Sequence, residues 1–217
     1  MSSSPHAPPA KPPRKDSTRN RALLVDAARA VFAERGLDAT LDDVARAAGV
    51  GVGTAYRHFA NKQELAREVM ARSFQQLTED AKAALLVEDA WEALAQFFEI
   101  SAARLVQDRG LHQAMFGPTP SDKPPLRGDL VDAVVELFAR AKAAGVIRPD
   151  AEAMDAVPIY AMMGVAADVG SVIDPEQWRR SLAFFLDGLR ATDRGPLPLP
   201  AIPIELLDAA LAAKRRR

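Results

Sequence analysis

The stretch from Thr40 to Lys62, T-L-D-D-V-A-R-A-A-G-V-G-V-G-T-A-Y-R-H-F-A-N-K, limits the possible folds more than any other part of the chain. Thr40 with Asp43 three residues later has the form of a capping box, in which each side chain accepts the other residue's backbone N–H at a helix start. Leu41, Val44, Ala45 and Ala48 then recur at helical spacing. Gly49 ends the run, because a residue without Cβ takes the left-handed turn that closes a helix. Val50 plugs the turn, a second short helix is expected over residues 52–59, and Asn61 with Glu64 opens a third. Two short helices joined by a tight glycine turn have the form of a helix-turn-helix, whose second helix enters the major groove of DNA. The same pair occurs as plain packing in all-α domains, so the residues of the second helix decide. Gly51, Val52, Gly53 and Thr54 are small and permit close backbone approach, while Thr54, Tyr56, Arg57, His58 and Lys62 supply donors. No Asp or Glu lies between Asp43 and Glu64, which suits a surface that faces phosphates.

Thr40, Val44-Ala45, Ala48-Gly49-Val50, Gly53-Thr54-Ala55-Tyr56-Arg57-His58-Phe59 and Asn61-Lys62-Gln63-Glu64-Leu65 together resemble the signature of the TetR family of bacterial regulators. The resemblance runs from Arg19 to Leu65; beyond it only the family's all-helical plan carries over. Gly51 stands where many members have Ser, and Ala55 where many have Leu. The resemblance implies a homodimer on a palindromic operator in double-stranded DNA. Thr40, Thr54, Tyr56, His58 and Lys62 would then lie on phosphates, and Gly51, Val52 and Arg57 nearest the base edges. It also implies a repressor that a small apolar or amphipathic effector releases from DNA. An activator of the same family, and an all-helical small-molecule carrier whose helix-turn-helix only packs, are the alternatives.

Charge distribution agrees with a polyanionic partner although the formal net charge is only −1. Residues 11–62 hold ten Lys and Arg against six Asp and Glu, whereas residues 63–213 hold fourteen against twenty-three. A basic quarter on an acidic body orients the molecule toward a nucleic acid. No run of eighteen apolar residues occurs, so no membrane span or membrane partner is expected, and the Ser/Pro/Lys-rich start has no apolar segment of a signal peptide. Cysteine is absent, which removes disulfides and thiolate chemistry. A soluble cytoplasmic protein is expected.

The fold class read from periodicity is all-α: a three-helix DNA-binding unit, then a larger antiparallel bundle for ligand binding and dimerisation. Residues 1–16 read as a disordered Pro-rich basic arm, 17–62 as the helix-turn-helix domain, 63–194 as the ligand-binding and dimerisation domain, and 195–217 as a Pro-rich linker with a basic tail. Helices are expected over 18–35, 62–85, 88–107, 110–116 and 126–144, with a Pro-rich loop at 117–125. Two more are expected over 151–169, capped by Asp150 and kinked at Pro158, and from Asp174-Pro175 to residue 191. A short amphipathic helix is expected over 204–213.

No catalytic residues stand out. The three histidines show no metal-binding spacing, and neither a Gly-x-Ser-x-Gly nor a phosphate-cradling glycine loop after a strand occurs. We therefore expect no enzyme, no metal and no cofactor. For an effector, Trp91, Phe98, His112, Met115, Phe116, Tyr160 and Met163 mix apolar bulk with polar tips, although such residues at helical spacing also make plain core. For a dimer, the last two helices carry more apolar surface than a monomer hides, with Gly164 permitting close approach. Tyr160, Gly164, Trp178, Leu182, Phe185 and Leu189 are the candidate interface, and the family resemblance implies a four-helix contact there.

Overall fold

Two separate apolar cores organise the chain, and one long helix runs from the first into the second. A computed structural model describes residues 14–116, 128–170, 172–193, 195–203 and 206. Nine helices occur among them: α1 (Arg14–Arg35), α2 (Leu41–Ala47), α3 (Val52–His58), α4 (Lys62–Ala84), α5 (Ala90–Gln107), α6 (Arg109–Phe116), α7 (Asp129–Ala143), α8 (Ala156–Gly170) and α9 (Trp178–Leu189). The only β contact among the described residues is an isolated antiparallel bridge between Ile147 and Arg190. No helix among them is long and apolar enough to cross a membrane.

The small core gathers Leu24, Val25, Ala28 and Phe32 from α1, Leu41, Val44 and Ala45 from α2, Ala55 from α3, and Phe59. Leu65 and Val69 of α4 complete it, so the first two turns of α4 belong to the N-terminal unit. The same helix ends in the large core with Ala81 and Ala84. At 23 residues it is roughly 35 Å long, enough to join both units rigidly. Its start follows the expected cap: Asn61 Oδ1 accepts the Glu64 N–H at 2.9 Å, and the Glu64 carboxylate accepts the Ala60 N–H at 2.8 Å.

The large core is built around Phe98, whose ring lies 5.0–6.1 Å from those of Phe97, Phe138, Tyr160 and Phe185. Arg140 of α7 ties the α4–α5 turn down by donating to the carbonyls of Leu85 at 2.5 Å and Val87 at 2.8 Å.

Two expected starts and one expected kink differ. Asp150 does not cap a helix, because its carboxylate accepts from Arg148 at 2.6 Å and from the distant Leu197 N–H at 2.5 Å. A 3-10 turn at Ala153–Asp155 comes first, with a reciprocal Glu152–Asp155 cap, and α8 begins only at Ala156. Pro158 therefore sits in the first turn of α8, where its missing N–H has no intrahelical partner to lose, and kinks nothing. Asp174-Pro175 likewise precedes α9: Asp174 holds the Glu176 N–H at 2.8 Å in a turn, and the helix opens at Trp178. The expected arm (up to residue 13), the Pro-rich loop and, Leu206 aside, the 204–213 helix and basic tail lie outside the described residues.

Candidate nucleic-acid interface

The α2 start has the geometry that its sequence dictates. Thr40 Oγ1 accepts the Asp43 N–H at 3.1 Å and Asp43 Oδ2 accepts the Thr40 N–H at 2.9 Å, closing the capping box. The Thr40 hydroxyl also donates to Asp43 Oδ2 at 2.6 Å. These bonds from Thr40, helped by Arg35, hold the Asp43 carboxyl well below the usual carboxylate range. At the other end Gly49 has φ +65°, and the Val50 N–H returns to the Ala45 carbonyl at 3.0 Å, satisfying an otherwise orphaned acceptor.

After this turn α3 has only seven residues and no side-chain cap. Thr54 and Ala55 both donate their N–H to the Gly51 carbonyl, at 2.8 and 3.0 Å. Ala55 and Phe59 are buried in the small core, whereas Val52 is 43% exposed and Tyr56 51%, with Gly51, Gly53 and Arg57 also exposed. One face of the helix is thus anchored and the other is open. Arg57 has no ion pair or side-chain hydrogen bond among the described residues. Thr54 and His58 are half-buried at the edge of this face.

Two residues of the expected contact set are engaged internally. The Lys62 ammonium turns inward and donates to the Leu37 carbonyl at 2.6 Å, tying α4 to the 3-10 turn at Gly36–Asp38. The Thr40 hydroxyl is committed to the capping box. Sequence reading also missed two neighbours. Asp42 lies beside Tyr56, and its negative charge, with a hydrogen bond, raises the phenol pKa by opposing phenolate formation. A count of acids between residues 43 and 64 does not find it, because Asp42 comes from α2. Arg21 of α1 donates to the His58 carbonyl at 3.0 Å, pairs with Glu68 of α4, and lies over the Phe59 ring. Nothing in the local pattern of α1 marks this residue out.

In the body, the structure brings Phe98, Tyr160 and Met163 into the large core, with Met115 and Phe116 packed against it. The Tyr160 hydroxyl bonds Ser101 Oγ at 2.5 Å, while Ser101 also donates to the Phe97 carbonyl at 2.6 Å. Burial pushes the Tyr160 phenol pKa far up. His112 lies 5.2 Å from the Phe116 ring, and its Nε2 is buried without a hydrogen-bond partner among the described residues. Trp91 packs against the same core farther off: it sits ten residues before Ser101 on α5, roughly 15 Å along the helix, with the Arg190 guanidinium 3.9 Å above its ring.

The expected dimer set needs correction. Trp178 is 1% exposed, and Tyr160, Gly164, Leu182 and Leu189 are also buried inside the protomer, so their side chains offer no surface to a second chain. Phe185 is half-buried against Phe98. The open apolar face of these helices is instead Met162, Val165 and Val169 on α8 and Phe184 on α9, where Phe184 is 66% and Val169 72% exposed. Val165 and Val169 are one turn apart, so they share a face.

Comparison with known proteins agrees with the all-helical, two-part architecture. A family model described as bacterial regulatory proteins, tetR family, matches residues 24–69, and one described as transcriptional regulator SbtR-like, C-terminal domain, matches residues 89–191. The chain is similar to TtgW of Pseudomonas putida, an uncharacterized HTH-type transcriptional regulator, with 40% identity over 80 residues. That match covers 36% of this chain and 60% of TtgW, so the chain spans less than two thirds of that relative. Among solved structures, it resembles the TetR transcription regulatory protein from Mycobacterium vanbaalenii with 31% identity, 82% of this chain, 98% of that chain and a TM-score of 0.55. A TetR transcriptional regulator from Streptomyces coelicolor gives 29% identity, 79% and 99% coverage and a TM-score of 0.58.

Proposed function

The chain belongs to the TetR family of bacterial transcriptional regulators, and from that premise we propose that it is a DNA-binding repressor that acts as a homodimer on a palindromic operator. The observation that carries this reading is the open face of α3. Val52, Gly53, Tyr56 and Arg57 project from a helix whose opposite side is locked by Ala55 and Phe59. An anchored two-turn helix with small residues at its start and an unpaired guanidinium near its end fits a major groove. Gly51, Val52 and Arg57 read base edges in this proposal, and Thr54, Tyr56 and His58 contact phosphates. Thr40 and Lys62 support the surface from within.

The two-fold partner packs on Met162, Val165, Val169 and Phe184, a face that is apolar and open in the protomer. The effector is a small apolar or amphipathic molecule that enters between α5, α6 and α8, beside His112, Met115, Phe116, Tyr160 and Met163. It favours one arrangement of the body, and DNA affinity falls through the helices that the body shares with the N-terminal unit. The protein acts in the cytoplasm and has no catalytic role in this reading.

Fluorescence anisotropy with a labelled mixed-sequence duplex over a salt series tests the proposal. Affinity falls linearly with salt on logarithmic axes, and Arg57→Ala reduces the slope by about 1 if it meets a phosphate, or relaxes base preference if it meets an edge. Tyr56→Phe weakens all duplexes alike. Parental binding by both variants would refute this placement of α3; salt-independent binding would favour a small-molecule carrier.

A further inference from the structure

Two consecutive side chains of α6 each occupy the space that a side chain would need on a glycine of another element. His112 packs onto Gly164 of α8, where an added Cβ would stand 1.9 Å from Nε2. Gln113 packs onto Gly36, where an added Cβ would stand 2.5 Å from Oε1. Gly36 also has φ +70°, so glycine is required there twice over. Successive residues on a helix project about 100° apart, which lets neighbours on α6 face different units. The backbone of α6 is seated as closely: a Cβ on Gly110 would meet the Phe32 side chain of α1 at 2.8 Å.

The Gln113 contact is also a hydrogen bond. The Leu37 N–H donates to Gln113 Oε1 at 2.6 Å, and the Leu37 carbonyl accepts from Lys62 Nζ at 2.6 Å. Both polar groups of one residue are therefore fixed, one by the body and one by α4. Leu37 lies three residues before Thr40, the cap of α2, so its placement sets where the helix-turn-helix begins. At the other seat His112 Nε2 has no hydrogen-bond partner among the described residues. Close packing, including the Phe116 ring, rather than an Nε2 hydrogen bond holds the imidazole against Gly164.

We propose that Gln113 is a positioning residue for the DNA-reading unit, kept in register by the close approach of α6 to α8 at His112 and Gly164, so that a change at that seat is delivered to Leu37 and from there to α2 and α3. This rests on the reading that α3 binds DNA, and it deepens that reading by naming the route of regulation. Anything that wedges between His112 and Gly164 pushes α6 off its seat and draws Gln113 from the Leu37 N–H.

The test uses the full chain and three variants, Gln113→Ala, Gly164→Ala and the double variant His112→Ala/Gly164→Ala. Amide hydrogen exchange is read at Leu37 in the free protein, and affinity is read with a mixed-sequence duplex at low salt. Gln113→Ala should speed exchange at Leu37 about tenfold, leave the amides of Phe98 and Leu105 unchanged, and weaken duplex binding several-fold. Gly164→Ala should do the same, although alanine is favoured over glycine inside a helix. The double variant should restore both readouts, because removing the imidazole makes room for the new methyl group. Parental Leu37 exchange in either single variant overturns the coupling, as does fast exchange with unchanged duplex affinity. If Gly164→Ala does not fold, a double variant that folds and protects Leu37 supports the proposal, and one that leaves Leu37 unprotected overturns it. A parent chain without salt-dependent duplex binding refutes the DNA reading itself, and the exchange comparison then judges the coupling alone.

Discussion

Arg21 lies across the ring of Phe59, its guanidinium carbon 4.3 Å from the ring centroid. Phe59 is the residue at which α3 ends, and the same guanidinium bonds the His58 carbonyl and the Glu68 carboxylate. One side chain of α1 thus closes the last turn of α3 against α4. Arg21→Met keeps much of the aliphatic packing and loses the cation–π and hydrogen-bond contributions, which together are about 1–2 kcal/mol at a half-buried site. The expected result is a lower urea midpoint with an unchanged m value, together with weaker duplex binding.

The proposed dimer face gives a paired prediction. Phe184→Glu places a charge on the open apolar face and should yield a folded monomer by sedimentation, with helical circular dichroism retained. Phe185→Glu places the same charge 5.0 Å from the Phe98 ring and should unfold the body. A dimeric Phe184→Glu protein at micromolar concentration would sink this interface.

Asp150 supplies a pH signature. Hydrogen bonding from Arg148, with the Leu197 N–H, holds its pKa at about 2, below the ordinary 3.8. A depressed folded pKa stabilises above the ordinary value and loses that contribution as pH falls through the folded one. Stability should therefore decline between about pH 4 and pH 2, and Asp150→Asn should flatten that part of the profile. Exchange at the Leu197 amide, followed over the same range, reports whether residues 195–197 leave the α7–α8 connection.

Ser101 and Tyr160 are unequal partners. Ser101→Ala leaves the buried Tyr160 hydroxyl without its partner and should cost about 1–3 kcal/mol in urea unfolding. Tyr160→Phe removes the hydroxyl itself while Ser101 keeps its bond to the Phe97 carbonyl, so its cost should stay below about 1 kcal/mol. Equal losses would contradict this hydrogen-bond direction.

The parts that the sequence revealed are those decided within a few residues. Thr40 and Asp43 cap each other, Gly49 has no Cβ to oppose its turn, and Asn61 caps α4, so α2, α3 and the start of α4 are legible locally. Asp150 was misread because Leu197, 47 residues later, takes its carboxylate. Trp178, Leu182, Phe185 and Leu189 form the strongest apolar stripe of α9, and a stripe does not say whether it faces its own core or another chain. Here it faces its own core, and the open face is the less regular set with Phe184. Gln113 was overlooked because its partners, Leu37, 76 residues away, and the neighbouring Gly36, carry no polar side chain.

The shortness of α3 has a consequence for how such a chain diverges. Its shape depends on Ala55, Phe59 and the neighbouring helices, and Val52, Gly53, Thr54, Tyr56 and Arg57 lie outside the buried core. Surface substitutions of that kind usually change stability by less than about 0.5 kcal/mol. The proposed reading face can therefore be rewritten one residue at a time while the scaffold stays intact, and a library restricted to those five positions should yield folded proteins with new operator preferences.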